Sequence, residues 1–156
     1  AKGFEVAEKS PYEKQVESAL FRLGAQAQMT GFLPYADIRT LQGEAAIIAC
    51  PSIWQDPMPK VVLEALAAGS ALLVSRRGGI PEVAEGRAHV VDDPNVDTLA
   101  SAIEQLIADD SYRNSLQQAA WADFPFTAKQ MAADADSARN AAVSAPVERQ
   151  KHGLGG

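Results

Sequence analysis

Residues 51–82 read PSIWQDPMPKVVLEALAAGSALLVSRRGGIPE, and the order of signals inside them decides the fold. An apolar run, Ala45 to Cys50, stops at Pro51. A polar, proline-punctuated loop carries Asp56; an apolar helix from Lys60 to Ala68 carries Glu64 and closes at Gly69; a second apolar run, Ala71 to Ser75, ends at Gly78-Gly79. Strand, loop, helix, strand and glycine turn in that order bring a ligand to the carboxyl edge of an open α/β sheet. The apolar runs lack a period of two, which fits strands covered on both faces.

Outward from this stretch, strands and helices continue to alternate. Tyr12 to Leu23 places Val16, Ala19, Leu20 and Leu23 at helical spacing, with Gly24 where a C-cap glycine belongs. Ala27 to Phe32 reads as a short strand turning at Leu33-Pro34, and Asp37 to Gln42 as a brief helix. Downstream come a short helix after Pro81, a strand at His89 to Val91, and helices over Val96–Ala108, Tyr112–Trp121 and about Thr127–Val143. Phe4 to Ala7 reads as a strand remnant, and Pro146 to Gly156 as a disordered tail. The class is α/β: helices on both faces of about four parallel strands, fewer than the six of a full doubly wound sheet. The domain is expected to lack its first βα units.

The 156 residues suit one domain with a sizeable core. A formal net charge of −6 argues against nucleic acid or an anionic membrane as partner, because both require a basic face. The single cysteine, Cys50, excludes an internal disulfide, favours a reducing compartment and reads as a small core residue. No apolar stretch approaches the roughly 20 residues that span a bilayer, and the expected location is cytoplasmic, at the inner face of a membrane at most. There is no zinc pattern, nucleophile elbow or G-x-G-x-x-G. His89 has no partner at metal-ligand spacing and reads as structural; His152 lies in the tail.

Two readings are open at the helix after Asp56. If it starts at Pro57, Asp56 is an N-cap whose carboxylate accepts backbone N–H bonds. If it starts at Pro59, Met58 is the cap, and the amides of Lys60 and Val61 are left to meet a phosphate or a sugar hydroxyl. Glu64 is the only charged residue between Val61 and Gly69. Its side chain leans back toward the helix start, where two ribose hydroxyls would satisfy it. Trp54 either stacks on a nucleobase or packs on the core. Arg76 and Arg77 either approach a diphosphate or stay solvated, and Gly78 and Gly79 permit positive φ and close backbone approach.

Taken together, PSIWQDPMPKVVLEALAAG, the following strand and GGIPE resemble the donor-binding signature of the retaining family-4 glycosyltransferases of GT-B fold. TGFLPYADI upstream and Ser75-Arg76-Arg77-Gly78-Gly79 are similar too, so the resemblance runs from about Met29 to Ala108. In that family two acidic residues with seven between them straddle the helix start, as Asp56 and Glu64 do. The family usually has glutamate where Asp56 stands, and phenylalanine and glycine at Met58 and Pro59. The resemblance implies a Rossmann-like three-layer sandwich that binds a nucleotide-sugar, of UDP or GDP type, with no obligatory metal and no further cofactor. It implies that Asp56, the catalytic candidate, faces donor-sugar hydroxyls and that Glu64 holds the ribose. It also places the amides of Lys60 and Val61 against the sugar or its phosphate, with Trp54, Met58, Pro59, Gly78 and Gly79 completing the donor site. Residues 1–146 would then be the C-terminal donor-binding domain of a glycan-building enzyme, and 147–156 its tail. An acceptor domain and an Arg-Lys pair that neutralises the donor diphosphate would lie outside this chain, which is expected to be inactive alone. Two alternatives are another nucleotide-sugar enzyme of the same fold, such as an epimerase, and a non-catalytic binding module.

Overall fold

The computed structural model describes residues 10–122, 124 and 126–144. The apolar runs flanking the Asp56 loop form adjacent parallel strands, β1 (Ile47–Cys50) and β2 (Ala71–Ser75), in the register Ile47 to Ala71 through Cys50 to Val74. The third strand, β3 (His89–Val91), pairs parallel with the other edge of β2, Leu73 to His89 through Ser75 to Val91. Sheet order follows chain order, β1-β2-β3, and helices form the crossovers that parallel strands require.

All five residues of β2 are buried, and their alternation sets the two faces of the sheet. Leu72 and Val74 pack with Val62, Ala65 and Leu66 of α3 (Lys60–Ala68) and with Ile80, Val83 and Ala84 of α4 (Ile80–Ala84). Ala71 and Leu73 pack on the opposite side with Ala102 and Leu106 of α5 (Val96–Ala108) and Leu116 of α6 (Asp110–Trp121). The result is the three-layer arrangement that the unbroken apolar strands imply. Burying one such leucine contributes roughly 1.5–3 kcal/mol relative to leaving it exposed, so β2 is where the sandwich is held together.

Polar residues start α5 and α6 where propensity predicts. Asn95 caps α5 in a capping box with Thr98, and the Asp109 carboxylate accepts from the Tyr112 N–H at the start of α6. At the C-terminus of α3, Gly69 adopts φ 76°, and its missing Cβ makes room for the Trp121 indole. The helix α7 (Ala128–Ser144) has no buried residue.

The chain divides into two compact units, one ending at Ile38 and one beginning at Arg39. The first contains α1 (Pro11–Leu23), whose Ser10 and Glu13 form a capping box and whose C-cap Gly24 has φ 55°. Its apolar stripe forms as expected, but no residue of α1 is buried. The second contains the sheet. The helix α2 (Tyr35–Glu44), longer than Asp37 to Gln42, starts in one unit and ends in the other, and Ser70 Oγ donates to the Gln42 carbonyl at 2.8 Å.

Ala27 to Phe32 forms no strand. Gly24–Gln26 make a 3-10 turn, and Gly31 takes φ 63°, a left-handed conformation that ends an extended run. Among the described residues the sheet has three strands rather than about four. The Phe4–Ala7 strand and the tail from Pro146 lie outside the described residues.

Candidate functional site

The carboxyl ends of β1 and β2 open onto the Asp56 loop, as the strand order requires. A cleft of about 350 Å³ lies there, lined by Cys50, Pro51, Ser52, Asp56, Pro59, Val61, Val62 and Ile80. Its floor is the end of β1 and the apolar face of α3; its rim is the proline-punctuated loop.

Three hydrogen bonds hold that loop against the turn after β2. Ser75 Oγ donates to the Ser52 carbonyl, the Gly78 N–H donates to Gln55 Oε1 at 2.6 Å, and the Gly79 N–H donates to the Asp56 carbonyl at 2.9 Å. The approach is so close that a Cβ on Gly78 would stand 2.0 Å from the Asp56 oxygen, and one on Gly79 1.8 Å from the Pro57 oxygen. Gly78 also has φ 53°. Both uses of glycine anticipated from the sequence, positive φ and backbone approach, occur here.

Neither reading of the helix start is met in full. The helix begins at Lys60, with Pro59 at the N-cap and no side-chain cap. Asp56 instead turns its Oδ1 onto the Met58 N–H at 3.0 Å, a local turn that satisfies aspartate without making it a cap. Proline at the cap accounts for the shift: it has no side-chain oxygen to offer, and its fixed φ suits the entry to a helix. The Val62 N–H finds the Pro59 carbonyl at 3.1 Å. Lys60 and Val61 N–H have no acceptor among the described residues, the consequence expected of the second reading. An uncapped helix start with its amides open favours an anion or a hydroxyl oxygen.

Asp56, Pro59 and Val61 meet in the cleft. Gly78 and Gly79 lie behind it, bonded to the loop. Glu64 is half-buried on α3 one turn beyond Val61, near the cleft but not among the residues lining it. Trp54 is 78% exposed and so does not pack on the core, and Met58 is 39% exposed; neither lines the cleft. Of the side chains that hold the loop, Ser52 and Gln55 were not singled out from the sequence, and Ser75 only within the stretch Ser75 to Gly79. The Gln55–Gly78 bond joins positions 23 apart, a pairing that no local pattern contains.

The two arginines after β2 are otherwise engaged. Arg76 bonds Glu85 at 2.8 Å and also Asp92, and these two carboxylates raise its pKa further. Arg77 donates to the Arg76 and Asp92 carbonyls, both at 2.9 Å. Both arginines brace the glycine turn. Burial pushes the Cys50 thiol up, so it stays protonated at neutral pH and is a poor nucleophile. His89 sits away from the cleft with its Nδ1 3.1 Å from the Tyr112 hydroxyl, and burial lowers its pKa. No group of metal-ligating side chains occurs among the described residues.

The family model of glycosyl transferases group 1 matches residues 3–122. The chain belongs to that family. The match extends beyond Met29–Ala108 on both sides. Among the relatives of this glycosyltransferase chain are the alpha-maltose-1-phosphate synthase of Mycolicibacterium smegmatis, 39% identical over 62% of this chain and 28% of that protein, and the lipopolysaccharide 1,2-N-acetylglucosaminetransferase of Salmonella typhimurium, 30% identical over 65% and 28%. The glycosyltransferase chain spans about a quarter of the length of the curated relatives it matches. Its fold is that of HepE from Anabaena, solved in complex with UDP: TM-score 0.70 at 22% identity, over 85% of this chain and 37% of HepE. No described helix is long and apolar enough to cross a membrane.

Proposed function

We propose that this chain is the donor-binding part of a retaining hexosyltransferase, and that the cleft at the start of α3 receives the sugar end of a nucleotide-sugar. The observation that supports this most is the pair of open amides, Lys60 and Val61, at a helix start that Pro59 cannot cap, beside a carboxylate in the cleft lining. A phosphate or sugar oxygen would satisfy those amides and gain from the helix dipole. Asp56 would accept hydrogen bonds from donor-sugar hydroxyls, and Glu64, one turn further, from the ribose. The exposed Trp54 indole is free to stack on the base. HepE was solved with UDP, which makes a uridine nucleotide the first donor to try.

In this reading an acceptor hydroxyl attacks the anomeric carbon from the face of the leaving group. The new C–O bond forms as the sugar–phosphate bond breaks, and the acceptor proton passes to the departing phosphate oxygen. The developing diphosphate charge meets helix amides and basic side chains rather than an obligatory metal. Arg76 and Arg77 are bonded to Glu85, Asp92 and backbone carbonyls, and the resemblance puts the basic pair for the diphosphate elsewhere in the longer enzyme. A missing donor of this kind costs about 2.7–4 kcal/mol in other enzymes, which is why the chain alone is expected to be inactive. A cytoplasmic location, at the inner face of a membrane at most, is consistent with a nucleotide-sugar donor, and an acceptor domain would be the partner.

The test is transfer from UDP-glucose, UDP-N-acetylglucosamine and GDP-mannose by a longer protein carrying this chain, with the anomeric configuration of the product read by NMR. Retention is expected. Inversion, or release of nucleotide with no acceptor dependence from a competent protein, would contradict the reading.

A further inference from the structure

The loop carrying Asp56 is fixed by one side chain that belongs neither to the donor-contacting set nor to the core. Gln55 precedes Asp56, is exposed, and accepts the Gly78 N–H through Oε1 at 2.6 Å. The other ties on Asp56 are backbone or its own carboxylate: the Gly79 N–H on its carbonyl, and its Oδ1 on the Met58 N–H. The Gln55 bond can be removed without altering the acid itself or the glycines, and, unlike the Ser75 Oγ bond to the Ser52 carbonyl, without touching a buried residue of β2.

We propose that Gln55 is a positioning residue: by taking the Gly78 N–H it holds the Asp56 loop on the glycine turn and so aims the Asp56 carboxylate into the cleft. This rests on the donor reading above. The physical reason is preorganisation. A carboxylate that must meet particular sugar hydroxyls loses binding steeply when displaced, because the ordering of its loop is then left to the ligand. Global stability depends little on the same bond, since on losing Gln55 Oε1 the exposed Gly78 N–H can turn to water. Gln55 should therefore act on the sugar-dependent part of binding and leave the nucleotide-dependent part alone.

The experiment uses the full chain and two variants, Gln55→Leu, which loses the acceptor, and Gln55→Glu, which keeps one. In the first arm, amide hydrogen exchange at Gly78 is read by NMR. The expected result is exchange about five- to tenfold faster in Gln55→Leu, as for loss of one hydrogen bond, and near wild type in Gln55→Glu. Unchanged exchange in Gln55→Leu would overturn the proposal whatever the ligand. In the second arm, UDP is compared with UDP-glucose and UDP-N-acetylglucosamine, and GDP with GDP-mannose. The gain in affinity from the sugar should fall about five- to tenfold in Gln55→Leu, stay near wild type in Gln55→Glu, and leave affinity for the bare nucleotide unchanged in both. Equal loss for nucleotide and nucleotide-sugar would mean a merely structural role and overturn the proposal. Wild-type chain with no gain from any of these sugars would overturn the donor reading itself, while the exchange arm would still report whether Gln55 holds the loop.

Discussion

Asp56 and Glu64 have the spacing of a donor-site pair but not the same surroundings. Asp56 lines the cleft with one oxygen committed to the Met58 N–H, whereas Glu64 is half-buried on α3 with no hydrogen-bond donor among the described residues. A half-buried carboxylate without a donor gains most from ligand hydroxyls, at roughly 1.5–3 kcal/mol for a charged hydrogen bond. In the longer enzyme, Glu64→Ala is expected to weaken nucleotide binding about tenfold or more with little change in kcat. Asp56→Asn keeps the size and removes the charge, so it should lower kcat while KM for the donor moves little; steady-state kinetics of both variants check this, and equal loss of both parameters in each variant would sink the division of labour. A second residue-level expectation concerns His89. Burial lowers its pKa, and its neutral ring faces the Tyr112 hydroxyl. The unfolded chain therefore takes up a proton near the ordinary value of about 6.5 that the folded chain still refuses. This contribution to stability is complete above that pH and is lost as pH falls from there through the lowered folded value. Urea unfolding at about pH 7.5 and about pH 5.5 should show wild type losing more stability than His89→Gln. Identical losses would refute it. The spacing of the two acids is written in the chain; the donors each one finds are not, because they come from backbone that the fold brings near.

Among the elements, α3 and the glycine turn work as one unit. The boundaries of α3 were legible from the sequence because an apolar run of helical period lies between a proline and a glycine, Pro59 and Gly69. Its cap was not, because two prolines compete in the first turn and only packing chooses between them. The turn after β2 shows the same division. Two glycines announce close approach, yet what approaches them, the backbone of Asp56 and Pro57, is known only from the folded chain. Gly79 has φ −84°, which any residue adopts, so Gly79→Ala isolates the steric term. A methyl 1.8 Å from the Pro57 oxygen must push the loop away, at about 1–3 kcal/mol for overpacking. Thermal unfolding should show that loss, together with weakened nucleotide-sugar binding. A variant as stable as wild type would contradict the close packing of loop on turn.

Over the whole molecule, the three-layer arrangement was readable in ALLVS, a strand without alternation that is buried throughout; AAIIAC reads the same way, but β1 lies at the edge of the described sheet and is only partly covered, with Ala49 exposed. The number of strands was not. Ala27 to Phe32 has strand-like composition, but Gly31 at φ 63° breaks it, and a single glycine does not declare its φ in advance. The proposed docking of a nucleotide-sugar where α3 begins involves the sandwich rather than one element, since β1, α3 and α4 all border the cleft. The most direct measurement is an amide NMR titration of this chain with UDP-glucose, UDP-N-acetylglucosamine and GDP-mannose. The predicted result, for at least one of them, is shift changes concentrated at Ser52, Asp56, Lys60, Val61 and Glu64, which in Glu64→Ala need about tenfold more ligand or higher. Shifts centred instead on the cleft between β3 and α5, around His89 and Ser101, or no response at the α3 start to any of the three, would contradict it.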